Sequence, residues 1–228
     1  MTHTHPYVIE GPIPYVPISP PHDAYCFTGH IPSDVQHLPA IVNQPSIKAT
    51  LGYPHDMTDE LALAWIERCT TGPRFADFPF HVIRKIQDLG QPSPEIVGFF
   101  ALGRENYHCF GDRRAELTKK NADLPSEEAQ YQITFFIDGA HEGRGLVTAA
   151  GRTAIRFHPH IRHRPGQLSS AYLSHNLGSA AVHRKLGFKT IARAKDVFLG
   201  HDALCEIWIA EGSCDKKRTI YAEFEDIA

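Results

Sequence analysis

Residues Ile133 to Phe157 read ITFFID, GAHEGRGL and VTAAGRTAIRF, and this succession leaves few folds open. An apolar run is followed by a glycine-bearing turn and then by an amphipathic helix. From Leu146 onward the apolar positions 146, 149, 150, 153, 154 and 157 follow the spacing of a half-buried helix. Gly143-Arg144-Gly145 therefore stands where a strand hands over to a helix N-terminus. Such a junction presents unpaired backbone N–H groups and the positive end of the helix dipole, which suits a phosphate. The two glycines allow close backbone approach and positive φ. An ordinary βα connection has the same outline, so the turn alone does not decide a function.

Composition narrows the class. The 228 residues are 42% hydrophobic and 21% charged, the balance of a globular domain with a sizeable core. A formal charge of −3 offers no basic excess for nucleic acid. No apolar run approaches the roughly 20 residues that span a bilayer, and the N-terminus lacks a secretory signal pattern. The five cysteines (26, 69, 109, 205, 214) show no C-x-x-C spacing. They read as reduced thiols of a cytoplasmic protein without a zinc framework.

Along the chain, residues 1–24 carry prolines at 6, 12, 14, 17, 20 and 21 and read as an extended arm without a core of its own. Tyr25–His30 is expected as a strand. A helix capped by Ser33 or Asp34 follows, running to about Asn43 with Val35, Leu38, Ile41 and Val42 inward. Thr58-Asp59-Glu60 opens a second helix with Leu61, Ala64, Trp65 and Cys69 on one face, ended by Gly72-Pro73. Phe80–Lys85 and Glu95–Leu102 are strands. Arg104–Glu128 is charged and poor in aliphatics, an insertion of about 104–128 with a short helix near Arg113–Asn121. His158, His160 and His163 lie in a basic loop with no Cys or Asp beside them, so a solvated loop is expected there and no metal. Leu168–Leu173 is a strand, and Asn176 caps a helix over Leu177–Leu186 that stops at Gly187. Ile191–Leu199 and Ala203–Ala210 form an antiparallel pair, and 212–228 a charged C-terminal extension. No internal repeat or second domain is evident.

Asn176-Leu177-Gly178-Ser179 and Arg184-Lys185-Leu186-Gly187-Phe188 follow the glycine turn by about thirty residues. This N-x-x-S…K-L-G-F arrangement resembles a signature of the GNAT superfamily of acyl-CoA N-acyltransferases, and HEGRGL resembles its pyrophosphate loop. Thr58 to Ile66 together with Ile96 to Phe99 most resembles the ribosomal-protein N-terminal acetyltransferase-like subgroup. The resemblance covers roughly residues 25–210. It implies an α/β fold: a single GNAT-type domain over 25–211, with a mixed, mostly antiparallel central sheet flanked by helices and splayed at the CoA-binding strand. Two signature positions depart, with Glu142 in place of Gln or Arg and Val147 in place of Gly or Ala. Glu142 sets an anion near an anionic ligand unless it turns away or pairs with Arg144 or Arg152. A Rossmann reading fails because Thr148 replaces the third glycine, and no Gly-Lys-Ser/Thr follows for a P-loop.

The resemblance implies acetyl-CoA as co-substrate and no metal. Its expected contacts are Phe136, Ile137 and Asp138 on the strand, Gly143, Arg144, Gly145, Leu146, Val147 and Thr148 at the loop, and Asn176 and Ser179. Ser179 carries over as the group that serves the thiolate; His183 holds the position where relatives place a Tyr. The family's strand acid is replaced by Gln132, which cannot take a proton. Glu206 is the expected base, with His175 and His183 as alternatives. The function implied is acetyl transfer from acetyl-CoA to a primary amine, a small molecule in preference to a protein N-terminus, by a monomer or homodimer that binds neither nucleic acid nor membrane. Two rivals are a protein N-terminal acetyltransferase and a non-catalytic acyl-CoA-binding domain.

Overall fold

A computed structural model describes residues 8–51, 55–87, 90–164, 167–198 and 201–210, without the side chains of 163, 192, 194–198 and 201–210. The elements are strands β1 (Tyr15–Pro17) and β2 (Tyr25–Thr28), helices α1 (Asp34–Val42), α2 (Pro45–Leu51) and α3 (Asp59–Thr71), and strands β3 (Val82–Lys85) and β4 (Gly98–Arg104). Then come α4 (Arg114–Asp123), β5 (Tyr131–Ile137), α5 (Leu146–Phe157), β6 (Leu168–Leu173), α6 (Leu177–Lys185), β7 (Phe188–Phe198) and β8 (His201–Ala210). They build an 8-stranded sheet in the order β1-β2-β3-β4-β5-β6-β8-β7. Among the described residues only β5 and β6 run parallel; the other neighbouring strands are antiparallel.

Strand alternation sorts the side chains into two cores. Phe100 and Leu102 of β4 join Tyr131, Ile133 and Ile137 of β5 on one face, where Leu146, Val147, Ala150 and Ala154 of α5 cover them. Phe99, Ala101 and Phe136 point the other way, against Leu38, Ile41 and Val42 of α1, Ile47 of α2, and Ala62 and Cys69 of α3. The face of α5 is wider than its apolar spacing predicts. Gly151 is also buried, because a Cβ there would come within 2.8 Å of Leu186 and 3.0 Å of Phe100. Close helix–sheet packing selects the glycine at that position.

The second core holds polar groups as well. Arg84 and Asp34 are fully buried and joined at 2.7 Å, and Arg84 also bonds Thr28 Oγ1 and the Pro94 carbonyl. Burial raises the Asp34 carboxyl, but hydrogen bonds from His30 and Arg84 outweigh it and hold the group below its ordinary range. Burial pushes the His81 imidazole down to about 3 and the Cys69 thiol up to about 12, so both are neutral.

Several expectations need correcting. Tyr15–Pro17 of the proline-rich segment is the sheet's edge strand, and Val16 and Ile18 are core residues; proline is tolerated at an edge because no ladder hydrogen bond is lost there. In α3, Leu61 and Ala64 face solvent, and Ala62, Trp65, Ile66 and Cys69 turn inward. Helix α2 was not anticipated. His158 belongs to no solvated loop: it is fully buried against Phe78 and Tyr131, and its Nδ1 accepts the backbone N–H groups of His160 and Ile161. The helix foreseen inside the insertion is α4, and Asn176 caps α6 through Ser179 N–H as expected. The expected extension 212–228 lies outside the described residues.

Candidate active site

The sheet opens at its one parallel pair. β5 is bonded to β4 along its whole length, but it meets β6 only at Tyr131–Leu168 and Gln132–Ser169. Beyond Gln132 the strands part, and the Ser170 hydroxyl, 3.4 Å from the Ile133 carbonyl, takes the place of the next rung. Asp138 N–H donates to the Val97 carbonyl, so the alternation directs the backbone of Phe136 and Asp138 toward β4. The groups turned into the gap are those of Phe135 and Ile137. Of the three expected strand contacts, only Ile137 offers its backbone to the gap. Phe136 lines the same cleft from a different side of the strand, and the Asp138 carboxylate bonds Gln44 Nε2 and Ala140 N–H instead.

Beside the gap, Gly143 (φ 71°) and Gly145 (φ 77°) hold the left-handed conformations that bend the chain into α5. Gly145 is the N-cap of α5, and its carbonyl accepts the Ala149 N–H at 3.0 Å. The N–H groups of Leu146, Val147 and Thr148 precede that first intrahelical bond and point out of the helix end. Gap and helix end share a cleft of about 500 Å³, also lined by Ser46, Ile47, Thr50 and Leu51 of α2 and by α6.

Helix α6 brings Asn176, Ser179, Val182 and His183 to the cleft. Asn176 Oδ1 accepts the Ser179 N–H at 2.9 Å, fixing the first turn. The His183 ring is 1% exposed, packed against Tyr172, Phe135 and Phe188, with Nδ1 2.7 Å from the Ser179 carbonyl. A carbonyl oxygen only accepts, so Nδ1 carries the proton. His175 is exposed. Glu206 sits opposite Tyr172 on β8, and its side chain lies outside the described residues.

Arg144 and Glu142 are exposed, and Glu142 is part of the cleft lining. Arg152 does not neutralise Glu142; it donates to the Lys185 carbonyl at 3.3 Å. Gln132 is a brace, because its Oε1 accepts from Arg74 at 2.9 Å and its Nε2 faces His108 Nδ1 at 3.0 Å. Sequence reasoning missed His108, which the insertion delivers to the cleft floor. Burial first, then Arg74 and Arg114, push its pKa down to about 3, so it is a neutral imidazole. Its only sequence signal was a histidine inside a charged excursion.

A family model described as the acetyltransferase (GNAT) domain matches residues 26–189. The chain belongs to this family. Its activity class is acetyl-CoA-dependent N-acetyl transfer. No curated protein matches the sequence. Among solved structures, the ribosomal L7/L12 alpha-N-protein acetyltransferase RimL is 13% identical with a TM-score of 0.59, over 88% of this chain and 97% of that one. The microcin C7 self-immunity acetyltransferase MccE, in complex with acetyl-CoA and AMP, is 13% identical with a TM-score of 0.55, over 84% and 96%. A ribosomal-protein-S5-alanine acetyltransferase from Vibrio fischeri is 15% identical with a TM-score of 0.52, over 91% and 98%. At these identities the likeness is one of fold. The splay between β5 and β6 is therefore the GNAT domain's expected opening, and no helix among the described residues is long and apolar enough to cross a membrane.

Proposed function

We propose that the chain moves an acetyl group from acetyl-CoA to the primary amine of a small molecule, by direct attack within a ternary complex. One observation carries the reading: the unpaired edge of β5 at Phe135 and Ile137, the N-terminus of α5 and the first turn of α6 all open into one cleft. The residues fit the donor. Positive-φ glycines bare the backbone beside the helix end, where the Leu146, Val147 and Thr148 N–H groups meet a pyrophosphate. The β5 edge offers N–H and C=O groups to the pantetheine amides, as a missing strand would.

In this reading the amine attacks the thioester carbonyl, the C–S bond breaks, and the thiolate takes a proton through the Ser179 hydroxyl, which is re-protonated from solvent in the same relay. Backbone N–H groups of β5 stabilise the oxyanion, and an N–H proton leaves the amine to solvent or to Glu206. His183 holds the Ser179 turn in place through its bond to the Ser179 carbonyl. The presence of α2 along the cleft wall supports a small acceptor over a folded protein surface. Acceptance of a protein N-terminus is the alternative, supported by the structural likeness to acetyltransferases whose names specify ribosomal proteins.

Calorimetry with acetyl-CoA, followed by CoA release across a panel of amines and N-terminal peptides, tests the proposal. Saturable binding with turnover of small amines is expected. Absence of binding defeats it, turnover of peptides alone selects the alternative, and binding without any turnover points to an acyl-CoA-binding module.

A further inference from the structure

Outside the cleft, three side chains able to bind a metal meet at α3. His30 follows β2, His81 precedes β3 and Cys69 lies in α3, and their donor atoms all fall within 4.8 Å of one another. His81 is 1% exposed, and neither of its ring nitrogens has a hydrogen-bond partner; His30 Nε2 is likewise buried and unpartnered. A buried polar group left so loses its hydration without compensation, and protein interiors rarely tolerate it. The rings of Trp65, Phe75 and Phe99 pack against the two imidazoles, and the one polar group among them, the Trp65 indole N–H, makes no hydrogen bond to these nitrogens.

The remaining geometry has a common explanation. His30 Nδ1 bonds Asp34 Oδ2 at 2.9 Å, and Asp34 is fixed in turn by Arg84. A carboxylate on one imidazole nitrogen is the arrangement that orients the other toward a metal. The His30 and His81 rings are 4.9 Å apart between centroids and inclined by 58°. Two imidazoles sharing a tetrahedral ion at about 2.0–2.1 Å place their centroids roughly 5 Å apart. Two nitrogens with one sulfur form a borderline-soft set that suits zinc and disfavours magnesium or calcium.

We propose that His30 Nε2, a ring nitrogen of His81 and Cys69 Sγ bind one zinc-type divalent cation that ties α3 to the β2–β3 end of the sheet. The Cys69 thiol releases its proton on binding, and the fourth position of a tetrahedral ion is left to water. The site is independent of acetyl transfer, since none of its residues lines the cleft.

The test uses the full chain, stripped with a chelator and titrated with cobalt(II) and then zinc(II). Expected is a saturable thiolate-to-cobalt charge-transfer band at one equivalent, bleached by zinc, with a rise in Tm. Cys69→Ser, nearly isosteric and able to fold, should lose that band; Cys109→Ser should keep it. No saturable band in the wild-type chain, or a band that survives Cys69→Ser or vanishes in Cys109→Ser, overturns the site. His81→Gln should abolish zinc-dependent stabilisation, and retention of the full Tm rise counts against it equally.

Discussion

Ser179 and His183 are joined by a 2.7 Å hydrogen bond from the imidazole Nδ1 to the serine carbonyl, one turn apart on α6. The bond ties a cleft-lining serine to a ring buried among Tyr172, Phe135 and Phe188. In the proposed mechanism His183 then positions the first turn of α6, and the Ser179 hydroxyl is the group that serves the acyl chemistry.

Ser179→Ala is accordingly expected to lower kcat by about 10²-fold or more, the scale of a lost acid–base contribution, with little change in the KM for acetyl-CoA. Steady-state kinetics decide it. An unchanged kcat removes Ser179 from the mechanism.

Gly145 caps α5 at φ 77°. Gly145→Ala has room for its Cβ, whose nearest neighbour is His22 Nε2 at 3.7 Å, so its cost is conformational. A left-handed alanine costs about 1–2 kcal/mol, and that loss should reach both urea stability and acetyl-CoA affinity. Full affinity in a destabilised variant would separate the turn from cofactor binding.

Glu142 places an exposed carboxylate at the cleft. If the CoA phosphates lie at the α5 N-terminus, Glu142→Gln should tighten acetyl-CoA by roughly two- to fivefold, the range of an exposed charge interaction, and the gain should shrink with added salt. Calorimetry at two ionic strengths measures this; weaker binding by the variant would put the phosphates elsewhere.

Asp77 is a carboxylate from which an acid-dependent loss of stability is expected. Burial raises its carboxyl, but hydrogen bonds from Tyr131 at 2.7 Å and Ser126 at 2.8 Å, with Arg104 nearby, outweigh that and hold its pKa below the ordinary carboxylate range. A group with a lowered folded pKa stabilises the fold above its unfolded pKa, about 3.9, and loses that contribution as pH falls through the folded value. Asp77→Asn should therefore destabilise at pH 7 and narrow its deficit toward pH 3, read from urea midpoints. A deficit that stays constant with pH contradicts this.

Much of the fold was legible in the sequence because its signals are local. The spacing of Leu146 to Phe157, the Thr58 and Asn176 caps and the alternation along Leu168–Leu173 each report the period or end of one element. The errors arose where a partner far along the chain decides. Leu61 fits a helical face as well as Ala62 does, and only the placement of α1 and the sheet turns Ala62 inward. The buried pair of Arg84 and Asp34 likewise joins residues fifty positions apart, which no local spacing announces.

The candidate site divides in the same way. By itself the sequence determined the glycine turn, the helix behind it and the Asn176–Ser179 cap, since backbone conformation and hydrogen bonding within a few residues fix all three. Tertiary structure alone decided that β5 and β6 part after Gln132, that Phe135 and Ile137 bare their backbone to the gap, and that His108 reaches the cleft floor. It also brought His30, Cys69 and His81 together. The reason is physical: strand register and the meeting of remote side chains are set by how whole layers pack, and no local spacing encodes them.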